Sequence, residues 1–111
     1  MLELTKDNFE AEVTNYEGIV FVDYWGPKCA PCIALFPEVE AFAEKNAGRA
    51  KFCKLNTAEN KRLAISQKVI GLPTMVFYKN GEKAHSFDQD SIDFDVMQAK
   101  LEELLGGIVC V

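Results

Sequence analysis

Residues 18–25 read GIVFVDYW, a nearly unbroken β-branched and aromatic run interrupted by one carboxylate, Asp23. A strand with one wet face alternates apolar and polar residues. A run that is apolar at both parities must be covered on both sides, as in a central strand with parallel neighbours and helices above and below. This stretch therefore calls for a layered α/β architecture. With 111 residues the chain has enough material for one such core and not two.

The rest of the chain supplies the covers. Thr5 precedes KDNFEAEV, where Phe9 and Val13 stand four apart, so Thr5 is expected to cap a short helix over residues 6 to 15. From Pro31 to about Lys45, the residues Leu35, Phe36, Val39, Phe42 and Ala43 recur at helical spacing, with Pro37 placed to kink the helix. AKFCKLN reads as a second buried strand, and ENKRLAISQKV as a polar helix carrying Leu63, Ala64 and Val69. After IGLPT come the strand MVFYK, the turn dipeptide Asn80-Gly81 and the more polar strand EKAHSF, the pattern of an antiparallel edge hairpin. A last helix is expected from about Ser91. Its apolar stripe is Ile92, Val96, Met97, Leu101, Leu104 and Leu105, and Gly106-Gly107 marks its end. The expected fold is a mixed sheet of four or five strands flanked by helices on both faces, forming one domain over residues 1–105 with a short tail, 106–111.

Composition excludes several function classes. Apolar residues make up 49% and charged residues 26%, as in globular chains. The net charge is −5 and the twelve Lys and Arg are scattered, which argues against a nucleic-acid partner. MLELTKDNFE has neither a basic start nor an apolar run of signal-peptide length, and no stretch approaches ~18 apolar residues. A cytoplasmic monomer with no membrane partner is expected. Four unevenly placed cysteines do not make a secreted disulfide framework; in a reducing compartment they are catalytic, metal-binding or simply buried.

Two of them stand in WGPKCAPC, residues 25–32. An ordinary thiol with a pKa of about 8.5 is only about 3% thiolate at pH 7, and the thiolate is the form that attacks disulfides. With a strand ending near Trp25 and a helix starting near Ala30, Cys29 falls at the helix N-terminus, where orphan N–H groups and the helix dipole favour an anion. Cys29 should be exposed and Cys32 one turn inside, which makes Cys29 the attacking sulfur and Cys32 the resolving one. Pro31 stiffens the loop. Lys28 should depress the Cys29 pKa a little further, through a screened charge, and make the couple more oxidising.

The segments VDYWGPKCAPC, Pro37 in the following helix, KLN, IGLPT and FYKNGE, in this order and spacing, resemble the thioredoxin family over residues 1 to about 105. The resemblance implies the thioredoxin fold and a thiol–disulfide oxidoreductase that reduces protein disulfides, without a bound cofactor, and is recharged by a thioredoxin reductase, a flavoenzyme linked to NADPH or ferredoxin. It implies a cis-proline at Pro73 facing the cysteines, Leu72 offering backbone to an extended substrate, Asp23 as a buried carboxylate beneath Cys32, and Lys54 as its partner. Burial would raise the Asp23 pKa toward service as a base for Cys32. The chain departs from the family pattern at Lys28, where a second tryptophan is usual, at Ala30 and Ile33 around the motif, and at Gln89 in the acidic stretch SFDQDSID. Trp25, Lys28, Ala30, Pro31, Leu72 and Pro73 are the expected substrate contacts, with Trp25 also readable as core alone.

Other readings stand beside these. Zinc at Cys29 and Cys32 would need a second ligand pair, and Cys53, His85 and Cys110 lack the spacing. Cys53, inside a strand, is expected to pack as a small hydrophobe, and His85 to be a surface residue. Cys110 is open to intermolecular pairing or inertness. An oxidase or isomerase is the rival enzyme, and a redox-inactive docking module of a larger complex is the rival from another class.

Overall fold

The structure, a computed structural model, describes residues 1–106. Cys110 and most of the expected tail lie outside them. Five strands, β1 (Leu2–Leu4), β2 (Ile19–Trp25), β3 (Lys51–Asn56), β4 (Thr74–Lys79) and β5 (Glu82–Phe87), form one sheet in the order β1-β3-β2-β4-β5. The doubly apolar run is the central strand, parallel to β3 and antiparallel to β4. Its even residues Val20, Val22 and Tyr24 pack with Phe9, Val13, Ala64 and Val69 on one face. Ile19 and Phe21 pack with Val39, Phe42, Met97 and Leu101 on the other.

Helices α1 (Ala30–Lys45), α2 (Lys61–Ser66) and α3 (Phe94–Leu104) supply the covers. Four expectations need correction. The helix expected over ENKRLAISQKV spans only Lys61–Ser66, so Val69 lies beyond its end. The segment 6–15 is not a continuous helix: only Glu10–Thr14 is helical, closed by an i+5 bond from Asn15 N–H to the Glu10 carbonyl, 2.8 Å. Thr5 does not cap it: Phe9 is the N-cap, with no side-chain cap bond, and Thr5 Oγ1 accepts from Asp7 N–H at 3.1 Å in the turn that precedes the helix. Helix α3 begins at Phe94, because Asp88 and Ser91 close a turn of their own and Asp93 Oδ1 then caps the Asp95 and Val96 N–H groups, at 2.9 and 3.2 Å. Val96 and Leu105 leave the apolar stripe, 52% and 39% exposed, so Met97 and Leu101 carry the buried side of α3.

The hairpin is as expected. Asn80 (φ 52°) and Gly81 (φ 86°) both take left-handed backbone, the requirement of the tight turn that matches strand twist. A Cβ on Gly81 would stand 2.2 Å from the Thr14 carbonyl oxygen, so no other residue fits there. His85 is exposed on edge strand β5. Among the described residues no helix is long and apolar enough to cross a membrane.

Strand register gathers the site at one edge. Trp25 pairs with Asn56, and Tyr24 with Thr74, so the end of β2, the end of β3 and the start of β4 meet there. The loops leading to α1, to α2 and into β4 all converge on that edge.

Candidate active site

Cys29 is the N-cap of α1 and adopts extended backbone (φ −93°, ψ 96°). Its N–H donates to the Gly26 carbonyl at 3.0 Å, and its own carbonyl accepts the Ile33 N–H at 3.2 Å. Its Sγ accepts the N–H of Cys32 at 3.2 Å, so sulfur occupies the place where Ser, Asp or Asn oxygen usually satisfies a first-turn amide. Cys29 and Cys32 are joined as a disulfide, with Cα atoms 5.3 Å apart. Cys32 is 1% exposed and Cys29 half-buried, the asymmetry expected of an attacking and a resolving sulfur. Ala30, Pro31 and Lys28 lie exposed around them, with Pro31 in the first turn, where its missing N–H leaves no helical bond unmade. Pro37 stands further inside α1, on the exposed side.

The facing wall is the loop before β4. The Leu72–Pro73 peptide bond is cis, Pro73 is buried and Leu72 is half-buried. Thr74 Oγ1 donates to the Gly71 carbonyl at 2.6 Å and braces this loop, a contact the sequence reading did not foresee. Between the walls lies a groove of about 460 Å³, lined by Gly26, Pro27, Cys29 and Leu72 among others. A Cβ on Gly26 would meet Leu72 Cδ1 at 3.2 Å, so glycine lets the two walls approach. Thr57 ties the β3–α2 loop to the redox turn by giving both its N–H and its Oγ1–H to the Trp25 carbonyl, at 2.8 and 3.1 Å. Nothing in the local pattern of the sequence marks Thr57, because its partner is thirty-two residues away.

Asp23 lies on β2, with Phe21 on the sheet face covered by α1, and is 1% exposed. Burial pushes its carboxyl up to about 7, against the opposing pull of the Lys54 charge. Its Oδ1 has no hydrogen-bond partner among the described residues. Lys54 sits opposite it in the parallel register, but no ion pair joins the two: the Lys54 ammonium lies 5.8 Å from the Phe36 ring centroid. Trp25 is half-buried with its ring edge-on to Phe36, centroids 5.2 Å apart, and its buried Nε1 also lacks a partner. Cys53, by contrast, is fully buried among apolar neighbours, and burial pushes its thiol up to about 12. It packs as a small hydrophobe, and the raised pKa disfavours its thiolate.

A helix-capping disulfide that shares a groove with Leu72, the residue before a cis-proline, on a sheet of this order, defines a class of protein. The chain belongs to the thioredoxin family, whose model matches residues 1–103. It is 43% identical over 106 residues to a thioredoxin of Peptoclostridium acidaminophilum, covering 96% of each chain. It is 39% identical over 105 residues to a thioredoxin of Acetoanaerobium sticklandii, covering 95% of this chain and 96% of the relative. Among solved structures it resembles a mutant thioredoxin from Halobacterium salinarum NRC-1, with a TM-score of 0.81 and 29% identity over 94% of this chain and 89% of that one. Family and cysteine pair together make it a thiol–disulfide oxidoreductase.

Proposed function

We propose that the chain reduces disulfides of protein substrates, with Cys29 as nucleophile and Cys32 as resolving thiol. The observation that carries this reading is the pair's asymmetry: one sulfur accepts a first-turn amide at the rim of a groove, and the other is enclosed beneath it. In the dithiol form, the Cys29 thiolate attacks one substrate sulfur, forms a mixed disulfide and expels the other sulfur as thiolate. The Cys32 thiol then gives its proton to a base and attacks Cys29 Sγ, which releases the second substrate thiolate and leaves the Cys29–Cys32 disulfide. Asp23, held near neutrality in its protonation by burial, is the base proposed for that second step. Lys54 limits how far burial raises the Asp23 pKa. Leu72 and Pro73 would present backbone and ring to the substrate, alongside Trp25, Lys28, Ala30 and Pro31.

Two electrons and two protons must then return to the pair. The family suggests a thioredoxin reductase as donor, and the chain's cysteine usage suits the cytoplasm. With a chemical dithiol, the protein should reduce insulin disulfides faster than the dithiol alone, and alkylation at pH 7 should label Cys29 faster than an unperturbed thiol. Failure of both removes the reading. Lys28, exposed one residue before Cys29, favours a second reading, in which the couple is oxidising enough to introduce or shuffle disulfides. A measured redox potential separates the two.

A further inference from the structure

Ile70 is 99% exposed and Ile65 is 71% exposed. Single exposed apolar residues are ordinary, but these two line one groove of about 240 Å³ with Val69 and Leu72. That groove shares Thr57, Ala58, Lys61 and Leu72 with the groove at Cys29, so the apolar surface runs continuously to the reactive sulfur.

The backbone holds Ile70 outward. Helix α2 ends with Lys68 in the left-handed region (φ 62°), its N–H donating to the Ile65 carbonyl and the Val69 N–H to the Ala64 carbonyl, both at 2.9 Å. This paired closure seats Val69 against Ala64 in the core. The next residue then has to face away from the core. A lysine in left-handed backbone is strained where glycine would not be, so the exposure is built in at some expense to the fold.

The charges around the two grooves are one-sided. Among the described residues, Lys28 and Lys61 line them and no carboxylate does, on a chain with seventeen acids and twelve bases. Glu59 belongs to a neighbouring groove, where Lys6 and Arg62 stand with it. Lys83 Nζ donates to the Gln67 carbonyl and brings another cation to the end of α2. On the opposite side of Pro73, the chain leaves β5 at Phe87, which pairs with Met75, into the acidic turn of Asp88 and Asp90. The redox centre thus lies between a cationic apolar side and an anionic one.

We propose, building on the reductase reading, that the α2 side docks the substrate's disulfide-bearing segment, and that this segment carries apolar side chains flanked by carboxylates. The apolar residues cover Ile65 and Ile70 while the carboxylates meet Lys28 and Lys61.

The test uses the full chain with dithiothreitol and four substrates. Three are synthetic peptide disulfides whose cysteines are flanked by Leu and Glu, Leu and Lys, or Ser and Glu; the fourth is bis(2-hydroxyethyl) disulfide. The Leu/Glu peptide should exceed the other two peptides in kcat/KM, relative to the small disulfide, by about tenfold at low salt. Ile70→Ser should cut that ratio severalfold. Lys61→Glu should reverse the preference for Glu over Lys, and the charge-dependent part should shrink in about 1 M salt, where the Debye length falls to about 3 Å.

If the small disulfide is reduced but the three peptides and both variants behave alike, the docking proposal is overturned and the oxidoreductase reading stands. If no disulfide is reduced, both fall. Two further results would also overturn it: loss in Ile70→Ser of recharging by a thioredoxin reductase with peptides unaffected assigns the face to the electron donor, and a dimer that Ile70→Ser dissolves assigns it to a second copy.

Discussion

Asp23 and Tyr24 are neighbours near the end of β2, both buried and both polar, and they point to opposite faces of the sheet. Tyr24 Oη shares a 2.6 Å hydrogen bond with Tyr78 Oη, which in turn donates to Gln67 Oε1 at 3.0 Å. Burial pushes the Tyr24 hydroxyl pKa upward, with the Tyr78 hydroxyl adding to it, and both rings stay neutral within a satisfied network. Asp23 has the same burial and leaves Oδ1 unpartnered, with a pKa of about 7. One face uses its polar atoms to hold the layers together; the other buries a carboxyl in an environment that disfavours its charge. Both residues stand near the same end of β2, so the difference between them lies in the face each points to and not in distance along the strand.

The strongest way to break this comparison is at the cysteines. Cys32→Ser should lower steady-state disulfide reduction by at least about a thousandfold, while a mixed disulfide accumulates on Cys29. Non-reducing electrophoresis and mass analysis would detect it, and turnover that persists would show the second sulfur to be dispensable.

Asp23→Asn should act next, in two measurements. Folded, the carboxyl titrates at about 7; its ordinary value is 3.8. Between those values the folded state holds a proton that the unfolded state has lost, so this group makes stability fall as pH rises from about 4 to about 7. Replacement should therefore stabilise the disulfide form at pH 8 by about 2–4 kcal/mol, with no gain below about pH 4. Urea unfolding at the two pH values checks the sign. The same variant should slow resolution of the mixed disulfide on the order of tenfold to a hundredfold. Equal stability at both pH values would mean that Asp23 is solvated after all.

On the other face, Tyr78→Phe strands the Tyr24 hydroxyl and should cost about 1–2 kcal/mol without changing turnover. Replacing both tyrosines by Phe should cost less than the sum of the two single changes, because the second removes the group left unpartnered by the first. The smallest effect lies outside either face: Lys68→Gly should raise stability by about 0.5–1 kcal/mol, read by thermal unfolding, because only left-handed backbone is relieved.

Much of this was legible along the chain. GIVFVDYW placed the central strand because both of its parities are apolar, Asn80-Gly81 placed the hairpin because both positions need positive φ, and the C-x-x-C spacing at a strand-to-helix junction located the disulfide. These are properties of near neighbours. Strand β1 escaped notice, since three residues carry no period and are held only by pairing with β3. Val96 was misplaced because the Asp93 cap, and not the apolar count, set where α3 begins.

The sequence by itself determined the layers, the central strand, the turn and the sulfur pair, all written in spacings of a few residues. Tertiary structure alone decided that Asp23 Oδ1 lacks a partner among the described residues although Lys54 stands across from it in register, and that Ile70 faces outward beside the groove. Both outcomes depend on how far side chains from separate elements reach once the layers close, and no local pattern encodes that distance.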